Sequence, residues 1–242
     1  MNSTRQIDTA FILAAGRGER MRPLTDRIPK PLVLVAGKTL LQRHFENLLK
    51  AGIRRVVVNH AHLGEQITEF LTALNTRLGM PAQLIFSAEP EGGLETAGGI
   101  IKALPLIDRE RFIVINGDIW IDYHLDSLLK KTDASKLAHL VLVPTPDYKP
   151  GDDFFLDDNG DIASERKDGL SGYTFSGLSI LNRTLFDGVA PGKSPLAPLF
   201  RRAMEADQVT AEVYTGEWCD VGTVERLKQL RKKLNHGALS DN

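Results

Sequence analysis

Short runs of consecutive apolar residues alternate, in the first half of the chain, with stretches in which apolar residues recur at helical spacing. The runs Val56–Val58 and Ile113–Ile115 are continuous and β-branched, a pattern typical of strands buried on both faces of a parallel sheet. From Leu40 to Leu49 the apolar residues fall on one face of a helix, and Gly52 is a natural stop for it. Strands that alternate with helices predict a doubly wound α/β fold, whose ligands lie beyond the carboxyl ends of the strands.

The same patterns give the bounds of the predicted elements. Strands are predicted at Ala10–Leu13, Arg55–Asn59, Ala82–Phe86, Phe112–Ile115, His139–Val143, Tyr173–Leu181 and Thr210–Tyr214. Helices are predicted at Leu40–Leu49, Glu65–Leu78, Thr96–Leu104, Asp126–Lys131 and Val224–Leu234. The second half is less regular, and its segment Asp147–Asp161, rich in proline, glycine and aspartate, predicts loops or a hairpin. We therefore expect a mostly parallel sheet with a smaller, irregular α+β portion beside it.

Composition narrows the class of protein. The 242 residues suffice for a sizeable core, and we expect residues 1–242 to form a single domain. A net charge of −1 argues against a nucleic-acid-binding protein. Residues 1–8 are polar and no apolar run could span a bilayer, so neither a secretory signal nor membrane association is expected. The single cysteine, Cys219, suits the reducing cytoplasm, where we expect the protein to act; the oligomeric state is left open.

A glycine-bearing turn follows the first predicted strand. Gly16 and Gly18 let the backbone bend, and successive N–H groups in such a turn form a site for an anion. Arg20, Arg22 and Lys30 follow, and the forked donors of arginine and the mobile charge of lysine both suit phosphate oxygens. The spacing matches neither a P-loop nor the dinucleotide-binding motif. The turn predicts a polyphosphate site; the alternative is a strand, a turn and a helix with a solvated basic face.

A carboxylate ends one of the apolar strands, in the sequence Asn116-Gly117-Asp118. Such a residue, beside a glycine that admits a ligand, is well placed for Mg²⁺, which takes one or two carboxylates together with substrate phosphates. A tight turn or a helix N-cap is the alternative interpretation of these residues. Asp122, beyond Trp120, competes as the metal ligand.

The segment Leu13–Thr25, followed by Pro29–Leu32, resembles the motif of sugar-1-phosphate nucleotidyltransferases, and the resemblance extends over nearly the whole chain. It implies a Rossmann-like fold of the nucleotide-diphospho-sugar transferase type, without the C-terminal β-helix acyltransferase domain that some of these enzymes carry. It also implies the reaction. The phosphate of a sugar 1-phosphate attacks the α-phosphorus of a nucleoside triphosphate, and pyrophosphate leaves.

The resemblance assigns roles to the charged residues. Trp218–Thr223 resembles the second metal motif of the family, which implies that Asp220 joins Asp118 in binding one Mg²⁺. Arg20 is expected to stabilise the departing pyrophosphate, and Lys30 to neutralise the phosphate at the reaction centre. The backbone groups expected to hold the triphosphate belong to Leu13, Ala14, Ala15, Gly16 and Gly18.

The segment Glu89–Gly99 resembles the loop that receives the base, and nucleotide contacts are expected from Glu89, Gly93 and Thr96. Glu89 stands where many relatives have glutamine, and an ionised glutamate only accepts hydrogen bonds. It therefore suits either N3–H of uracil or N1–H and the amino group of guanine. The Leu-Glu-Thr-x-Gly-Gly form is most similar to that of N-acetylmuramate-1-phosphate uridylyltransferases of bacterial cell-wall recycling. UTP and N-acetylmuramate 1-phosphate are the favoured substrates.

Sugar contacts are expected from the less regular half. Tyr173–Leu178 resembles the strand beneath the sugar, with Thr174 as the contact, although an alternating aromatic strand is also typical of a core. Glu165 and Lys167 lie near the position of a Glu-Lys pair that relatives use for the sugar and its phosphate, and Asn116 completes the set.

Three alternatives stay open. The first is a mannose-1-phosphate-type guanylyltransferase that uses GTP, and the second is a choline phosphate cytidylyltransferase built on the same fold. The third is a non-catalytic nucleotide-sensing homologue. The third is disfavoured because such a protein is expected to lose part of the set Arg20, Lys30, Asp118 and Asp220, all of which are present.

Overall fold

Strands and helices alternate through the part of the chain that the computed structural model describes, residues 7–79, 82–131, 133–157 and 160–240. The strands are β1 (Thr9–Leu13), β2 (Leu34–Val35), β3 (Lys38–Thr39), β4 (Arg55–His60), β5 (Gln83–Ala88), β6 (Arg111–Asn116), β7 (Ile119–Ile121), β8 (Ala138–Pro144), β9 (Phe154–Leu156), β10 (Ile162–Ala163), β11 (Ser171–Asn182), β12 (Val209–Val213) and β13 (Trp218–Asp220). The helices are α1 (Leu40–Lys50), α2 (Gly64–Leu78), α3 (Glu95–Ile107), α4 (Leu125–Lys131), α5 (Ala197–Glu205) and α6 (Val224–Ser240). Short 3₁₀ turns lie at Glu19–Met21, Leu24–Asp26, Lys30–Leu32 and Arg183–Phe186.

A nine-stranded sheet forms the centre of the fold, in the order β10-β9-β11-β6-β1-β4-β5, with β8 paired to both β11 and β12. Strands β6, β1, β4 and β5 are parallel to one another, β12 is parallel to β8, and β11 is antiparallel to β6 and β8. From β1 the chain crosses to β4 on one side and later returns to β6 on the other. The strand order therefore reverses at β1, where a ligand crevice is expected at the carboxyl ends. The predicted α/β fold is confirmed.

Helices cover both faces of the parallel strands, as the continuous apolar runs predict. In β4, Val56 and Val58 pack into one core with Phe45 of α1, and Val57 packs into a second core with Ile100 of α3. All five side chains are fully buried. Alternate residues of one strand thus enter opposite cores, which fixes the register of the strand and the position of its carboxyl end.

A third, smaller core holds the segment after β1 against the C-terminal helix. It contains Met21 from a 3₁₀ turn, Trp120 from β7, Val221 after β13 and Leu227 from α6. Because these residues flank the glycine turn and both predicted metal ligands, this core sets the glycine turn relative to the two aspartates.

Most elements lie within a few residues of their predicted bounds, although α6 continues to Ser240. The hairpin expected near Asp147–Asp161 is present as antiparallel β9 and β10; residues 158–159 of its turn lie outside the described part. Helix α5 is not predicted; it has Pro198 in its first turn, where proline is well tolerated. The β7–β13 ribbon is too short to show a sequence period. None of the described helices is long and apolar enough to cross a membrane.

Candidate active site

A cleft of about 810 Å³ opens at the carboxyl ends of β1, β4, β5 and β6. Its wall combines the glycine turn, the predicted base loop, and the end of β6 with Asp118 just beyond it. The lining residues are Leu13, Ala14, Ala15, Gly16, Arg17, Glu19, Arg22, Lys30, Pro31, Asn59, Ala61, His62, Glu89, Glu91, Gly92, Gly93, Leu94, Glu95, Thr96, Asn116 and Asp118. The predicted nucleotide-binding residues lie in this set, except Gly18.

The two glycines of the turn do different things. Gly18 has a φ of 68°, in the left-handed region, and a Cβ there would lie 3.0 Å from the methyl group of Thr25. The Thr25 hydroxyl donates to the carbonyl oxygen of Gly18 at 2.8 Å, so Gly18 shapes the turn. At Gly16, a Cβ would meet no protein atom within 4 Å, and the residue lines the cleft. The fold leaves Gly16 open to a ligand.

Cations surround the turn, but Arg20 is not among the residues that line the cleft. Arg17 and Arg22 line the cleft, and both form ion pairs with Asp26, at 2.9 Å and 3.2 Å. Arg20 is exposed and points to the second metal motif, where its Nη2 lies 2.9 Å from the place that a Cβ on Gly222 would take. Its predicted contact with pyrophosphate stays a prediction.

Lys30 and Asp118 form a close ion pair, with 2.5 Å between Nζ and Oδ2. The lysine side chain is only 9% exposed, and the carboxylate is 36% exposed. A nearly buried ammonium needs a partner, because an unpaired charge away from water is costly. The ion pair therefore keeps the positive charge of Lys30 inside the cleft, near the carboxyl end of β6.

The β7–β13 ribbon brings the two predicted metal ligands together. Asp220 pairs with Ile119 in the antiparallel register, and the N–H of Val221 donates to the carbonyl oxygen of Asp118 at 3.1 Å. No group of three or more His, Cys, Asp or Glu residues able to hold a metal occurs in the described residues. Two carboxylates fit Mg²⁺, which completes its coordination with water and substrate phosphates.

Asp220 is held by an arginine from α6. The Nη1 atom of Arg226 donates to Oδ2 of Asp220 at 2.7 Å and to its carbonyl oxygen at 3.1 Å. The guanidinium lies 4.5 Å from the ring centroid of Tyr148, in a cation–π contact. Arg226 is a residue that sequence reasoning missed, since a basic residue in a helical first turn carries no distinctive signal.

Two further side chains near the ribbon, those of Asp122 and Cys219, bear on the chemistry of the site. The Tyr214 hydroxyl donates to Oδ1 of Asp122, and the competing assignment of Asp122 as the metal ligand stays a prediction. Burial raises the pKa of the Cys219 thiol to about 11, with the charge of Asp220 as the second cause. The thiol is protonated at neutral pH, which suits a packing residue.

A buried histidine of α1 contacts the start of β7, one residue after Asp118. Nε2 of His44 lies 3.0 Å from the carbonyl oxygen of Ile119, and burial lowers the pKa of His44 to about 4. The neutral ring donates to that carbonyl at physiological pH.

The predicted base loop is joined to the glycine turn by hydrogen bonds. Oε1 of Glu89 accepts from Nδ2 of Asn59 at 2.6 Å, and Oε2 accepts from the N–H of Leu94 at 2.9 Å. Oδ1 of Asn59 accepts from the N–H of Ala14 at 2.6 Å. Asn59 was not among the predicted site residues, although a polar residue that ends the apolar run Val56–Val58 is a detectable signal. The predicted contact between Glu89 and the base stays a prediction.

A second cleft, of about 580 Å³, continues from the first and shares Glu95, Thr96 and Asn116 with it. The rest of its wall is largely apolar and comes from β9, β11 and α5, with Arg201 as a cation at its rim. The full lining is Glu95, Thr96, Asn116, Asp153, Phe154, Phe175, Pro195, Leu196, Ala197, Phe200 and Arg201. This cleft lies on the less regular side, where the sugar is expected.

Three of the predicted sugar contacts do not line either cleft. Glu165 and Lys167 are exposed residues after β10, and the structure does not bring them to the site. Thr174 is buried; its hydroxyl accepts from Nζ of Lys149 at 3.1 Å and donates to the hydroxyl of Thr145 at 3.1 Å. Asn116, the fourth, lines both clefts.

Comparisons with known proteins agree with this geometry. Residues 9–154 match the nucleotidyl transferase family. The chain is 46% identical, over 91% of its length and 95% of the relative, to an N-acetylmuramate alpha-1-phosphate uridylyltransferase of Neisseria meningitidis. It is 30% identical, over 91% of its length and 60% of the relative, to a mannose-1-phosphate guanylyltransferase catalytic subunit beta of Drosophila melanogaster.

A solved structure supports the fold independently. A UDP-glucose pyrophosphorylase complexed with UDP-glucose superposes with a TM-score of 0.78 at 17% identity, covering 96% of this chain and 99% of the other. The chain belongs to the nucleotidyl transferase family and is a sugar-1-phosphate nucleotidyltransferase.

Proposed function

We propose that the protein joins UTP and N-acetylmuramate 1-phosphate to give UDP-N-acetylmuramate and pyrophosphate. The observation that carries the proposal is the cleft in which the glycine turn lies beside the Lys30–Asp118 ion pair, with the backbone of the segment that contains Asp220 adjoining that of Asp118. The 46% identity to a uridylyltransferase for this sugar phosphate supports the choice of substrates.

The charges of the reactants explain what the cleft must do. A phosphate oxygen of the sugar 1-phosphate forms a bond to the α-phosphorus, and the bond to the bridging oxygen of pyrophosphate breaks. Both reactants are anions, and the nucleophile already carries its negative charge, so no general base is needed. The protein must place the two in line and neutralise charge.

Lys30 would neutralise the phosphate at the reaction centre; the position of its ammonium in the cleft, paired with Asp118, supports this role. The N–H groups of the turn that ends at Gly18 would hold the triphosphate, and Arg20 would stabilise the departing pyrophosphate. Mg²⁺, bound by Asp118 and Asp220, would supply further positive charge at the α-phosphate.

The second cleft offers a reason for the choice of sugar. Its aromatic and apolar wall suits the face of a sugar and its acetyl group, and Arg201 provides a cation at the rim. N-acetylmuramate differs from N-acetylglucosamine by a lactyl ether that ends in a carboxylate. A guanidinium matches a carboxylate with forked hydrogen bonds, so Arg201 is the residue to which we assign this group.

A guanylyltransferase that uses GTP and mannose 1-phosphate is the second candidate, favoured by the 30% identity to such an enzyme. Pyrophosphate release, measured with each of UTP, GTP, CTP and dTTP against a panel of sugar 1-phosphates, distinguishes the two. We expect the highest kcat/KM for UTP with N-acetylmuramate 1-phosphate. The highest value for GTP with mannose 1-phosphate would replace the proposal with the second candidate.

We further propose that the enzyme acts in the cytoplasm, in the recycling of peptidoglycan sugars. The free thiol of Cys219 suits a reducing compartment, and the nucleoside triphosphate that the reaction consumes is available there.

A further inference from the structure

Asn59, which is buried, lies at the centre of a chain of hydrogen bonds between two parts of the nucleotide cleft. The residue is 2% exposed and lies near the carboxyl end of β4. Its Oδ1 accepts from Ala14 N–H at 2.6 Å, and its Nδ2 donates to Oε1 of Glu89 at 2.6 Å. Glu89 follows β5, and its Oε2 accepts from Leu94 N–H at 2.9 Å. Ala14 belongs to the glycine turn and Leu94 to the base loop, so a single chain of hydrogen bonds joins the two segments.

The backbone N–H groups of Ala14 and Leu94, at the two ends of this chain of hydrogen bonds, determine how the side chains of Asn59 and Glu89 must be oriented. A backbone N–H only donates, so the carbonyl oxygen of the Asn59 amide must face Ala14, and its amino group must face Glu89. Glu89 then meets a donor at each oxygen, from Asn59 and from Leu94, and a carboxylate can accept from both. A glutamine at position 89 would turn its own amino group toward one of these two donors.

The side chains of Asn59 and Glu89 are also closely packed against α3. A Cβ on Gly99, in α3, would lie closer than 3.0 Å to both Oε1 of Glu89 and Nδ2 of Asn59. The pair is therefore packed against the helix that follows the base loop, and Glu89 has little freedom to turn toward a ligand. A carboxylate that is bonded at both oxygens and packed at its back is suited to hold a loop in place.

We propose that Asn59 is a positioning residue. Through Glu89 it holds the base loop at a fixed position relative to the glycine turn. The base and the triphosphate of one nucleotide can then be bound at the same time. In this chain of hydrogen bonds Glu89 supports the base loop. The base itself is contacted by other residues of the loop that Glu89 holds in place. The proposal rests on the proposed function for the identity of the nucleotide, UTP, and adds the residue that sets the geometry of its site.

Exchanging the amide and the carboxylate between the two positions tests this directly. In Asn59→Asp, two carboxylates face each other; in Glu89→Gln, an amino group faces a donor. In the double variant, the carboxylate now at position 59 accepts from Ala14 and from the amide now at position 89, whose oxygen accepts from Leu94. The double variant keeps the net charge and restores every hydrogen bond of the chain.

The main readout is UDP affinity by calorimetry, without sugar phosphate, together with KM for UTP and the thermal unfolding midpoint. We expect each single substitution to weaken UDP binding and to raise KM for UTP by about tenfold or more, the equivalent of one buried hydrogen bond lost. The double variant is expected to return both values to near those of the unsubstituted protein. Because UDP affinity does not depend on the sugar, this result is separable from a failure of the proposed substrate pair.

A matched control is the pair formed by Gln42 and Glu46 on α1, where Nε2 of Gln42 donates to Oε1 of Glu46 at 2.7 Å. The same exchange there, Gln42→Glu with Glu46→Gln, involves the same chemistry outside the nucleotide cleft. We expect none of the control variants to change UDP affinity.

Two results would overturn the proposal. One is a Glu89→Gln variant with unchanged UDP affinity, which is what direct acceptance of uracil N3–H by Glu89 predicts, because an amide oxygen can still accept that bond. The other is a folded double variant that binds UDP no better than the weaker single variant. If the single variants do not fold, the double variant alone decides, since it is expected to fold and to bind UDP.

Discussion

The ammonium of Lys30 lies 2.5 Å from Oδ2 of Asp118, so a nearly buried cation of the cleft is bound to one of the two predicted metal ligands. The pairing has two consequences. Lys30 cannot move out to solvent without breaking its ion pair, and its charge is kept beside Asp118, one of the two residues that we propose bind the metal. On the proposed mechanism, the positive charge that neutralises the phosphate would therefore be in position before any substrate binds.

Substitution of Lys30 by alanine is expected to reduce kcat by a factor that corresponds to about 2–4 kcal/mol, similar to the loss of one preorganised transition-state donor. KM for UTP should change much less. Lys38, which pairs with Glu46 at the same distance of 2.5 Å on the surface of the protein, provides the control, and Lys38→Ala should leave both constants unchanged. Steady-state kinetics with both substrates varied is the measurement. An effect of Lys30→Ala on KM for UTP alone would show that Lys30 only binds the ground state.

Asp118 and Asp220 are expected to bind one metal ion jointly. Asp118→Asn and Asp220→Asn should each weaken Mn²⁺ binding, measured by electron paramagnetic resonance, and reduce turnover by orders of magnitude while the fold is kept. Asp122→Asn is the control, because that carboxylate accepts from Tyr214 on the neighbouring strand segment. Near-normal Mn²⁺ affinity and activity in either variant would remove that residue from the metal site.

Arg201 is expected to select the sugar through its carboxylate. Arg201→Ala should raise KM for N-acetylmuramate 1-phosphate by about tenfold or more, the range for loss of a hydrogen bond to a charged group. KM for N-acetylglucosamine 1-phosphate, which has no carboxylate, should stay the same. The adjacent Arg202, whose Nη2 donates to the carbonyl oxygen of Leu185, is the control. Equal effects of Arg201→Ala on the two sugar phosphates would mean that Arg201 does not recognise the lactyl group.

His44 should make the protein less stable in acid. Burial lowers the pKa of His44 from 6.5 to about 4, so the folded state binds fewer protons than the unfolded state between these values. The stability that His44 contributes is complete above pH 6.5 and is lost as the pH falls toward 4, at up to about 1.4 kcal/mol per pH unit.

The measurement is the free energy of unfolding in urea at a series of pH values. His44→Gln keeps a donor for the carbonyl oxygen of Ile119 and should remove this part of the pH dependence. His124→Gln changes an exposed histidine and should not. A pH dependence that is the same in His44→Gln as in the unsubstituted protein would mean that another group causes it.

The parts of the site that follow single strands could be predicted from sequence. Val56–Val58 and Ile113–Ile115 show buried parallel strands because each residue enters a core, and the glycine turn and Asp118 follow at strand ends. The family resemblance then assigned roles to Lys30 and Asp220 that spacing alone does not give, and these roles stay predictions.

The parts that depend on contacts between distant segments could not be predicted. Asn59 and Glu89 are polar residues at the ends of neighbouring strands, but their shared hydrogen bond depends on the packing against Gly99. Arg226 contacts Tyr148 across a large separation in sequence, and no local pattern encodes that contact. Glu165 and Lys167 were assigned by approximate position in a loop, where an inserted residue shifts the match, and both lie outside the clefts.

A competition experiment tests the proposed activity most directly. The protein is given equal concentrations of UTP, GTP, CTP and dTTP in one vessel with N-acetylmuramate 1-phosphate, Mg²⁺ and a pyrophosphatase, and the products are separated by mass. Because the nucleotides compete, the initial ratio of products equals the ratio of their kcat/KM values. We expect UDP-N-acetylmuramate as the dominant product and a stoichiometric release of phosphate from pyrophosphate. A dominant GDP-sugar, or no nucleotide sugar at all, would contradict the proposed uridylyl transfer.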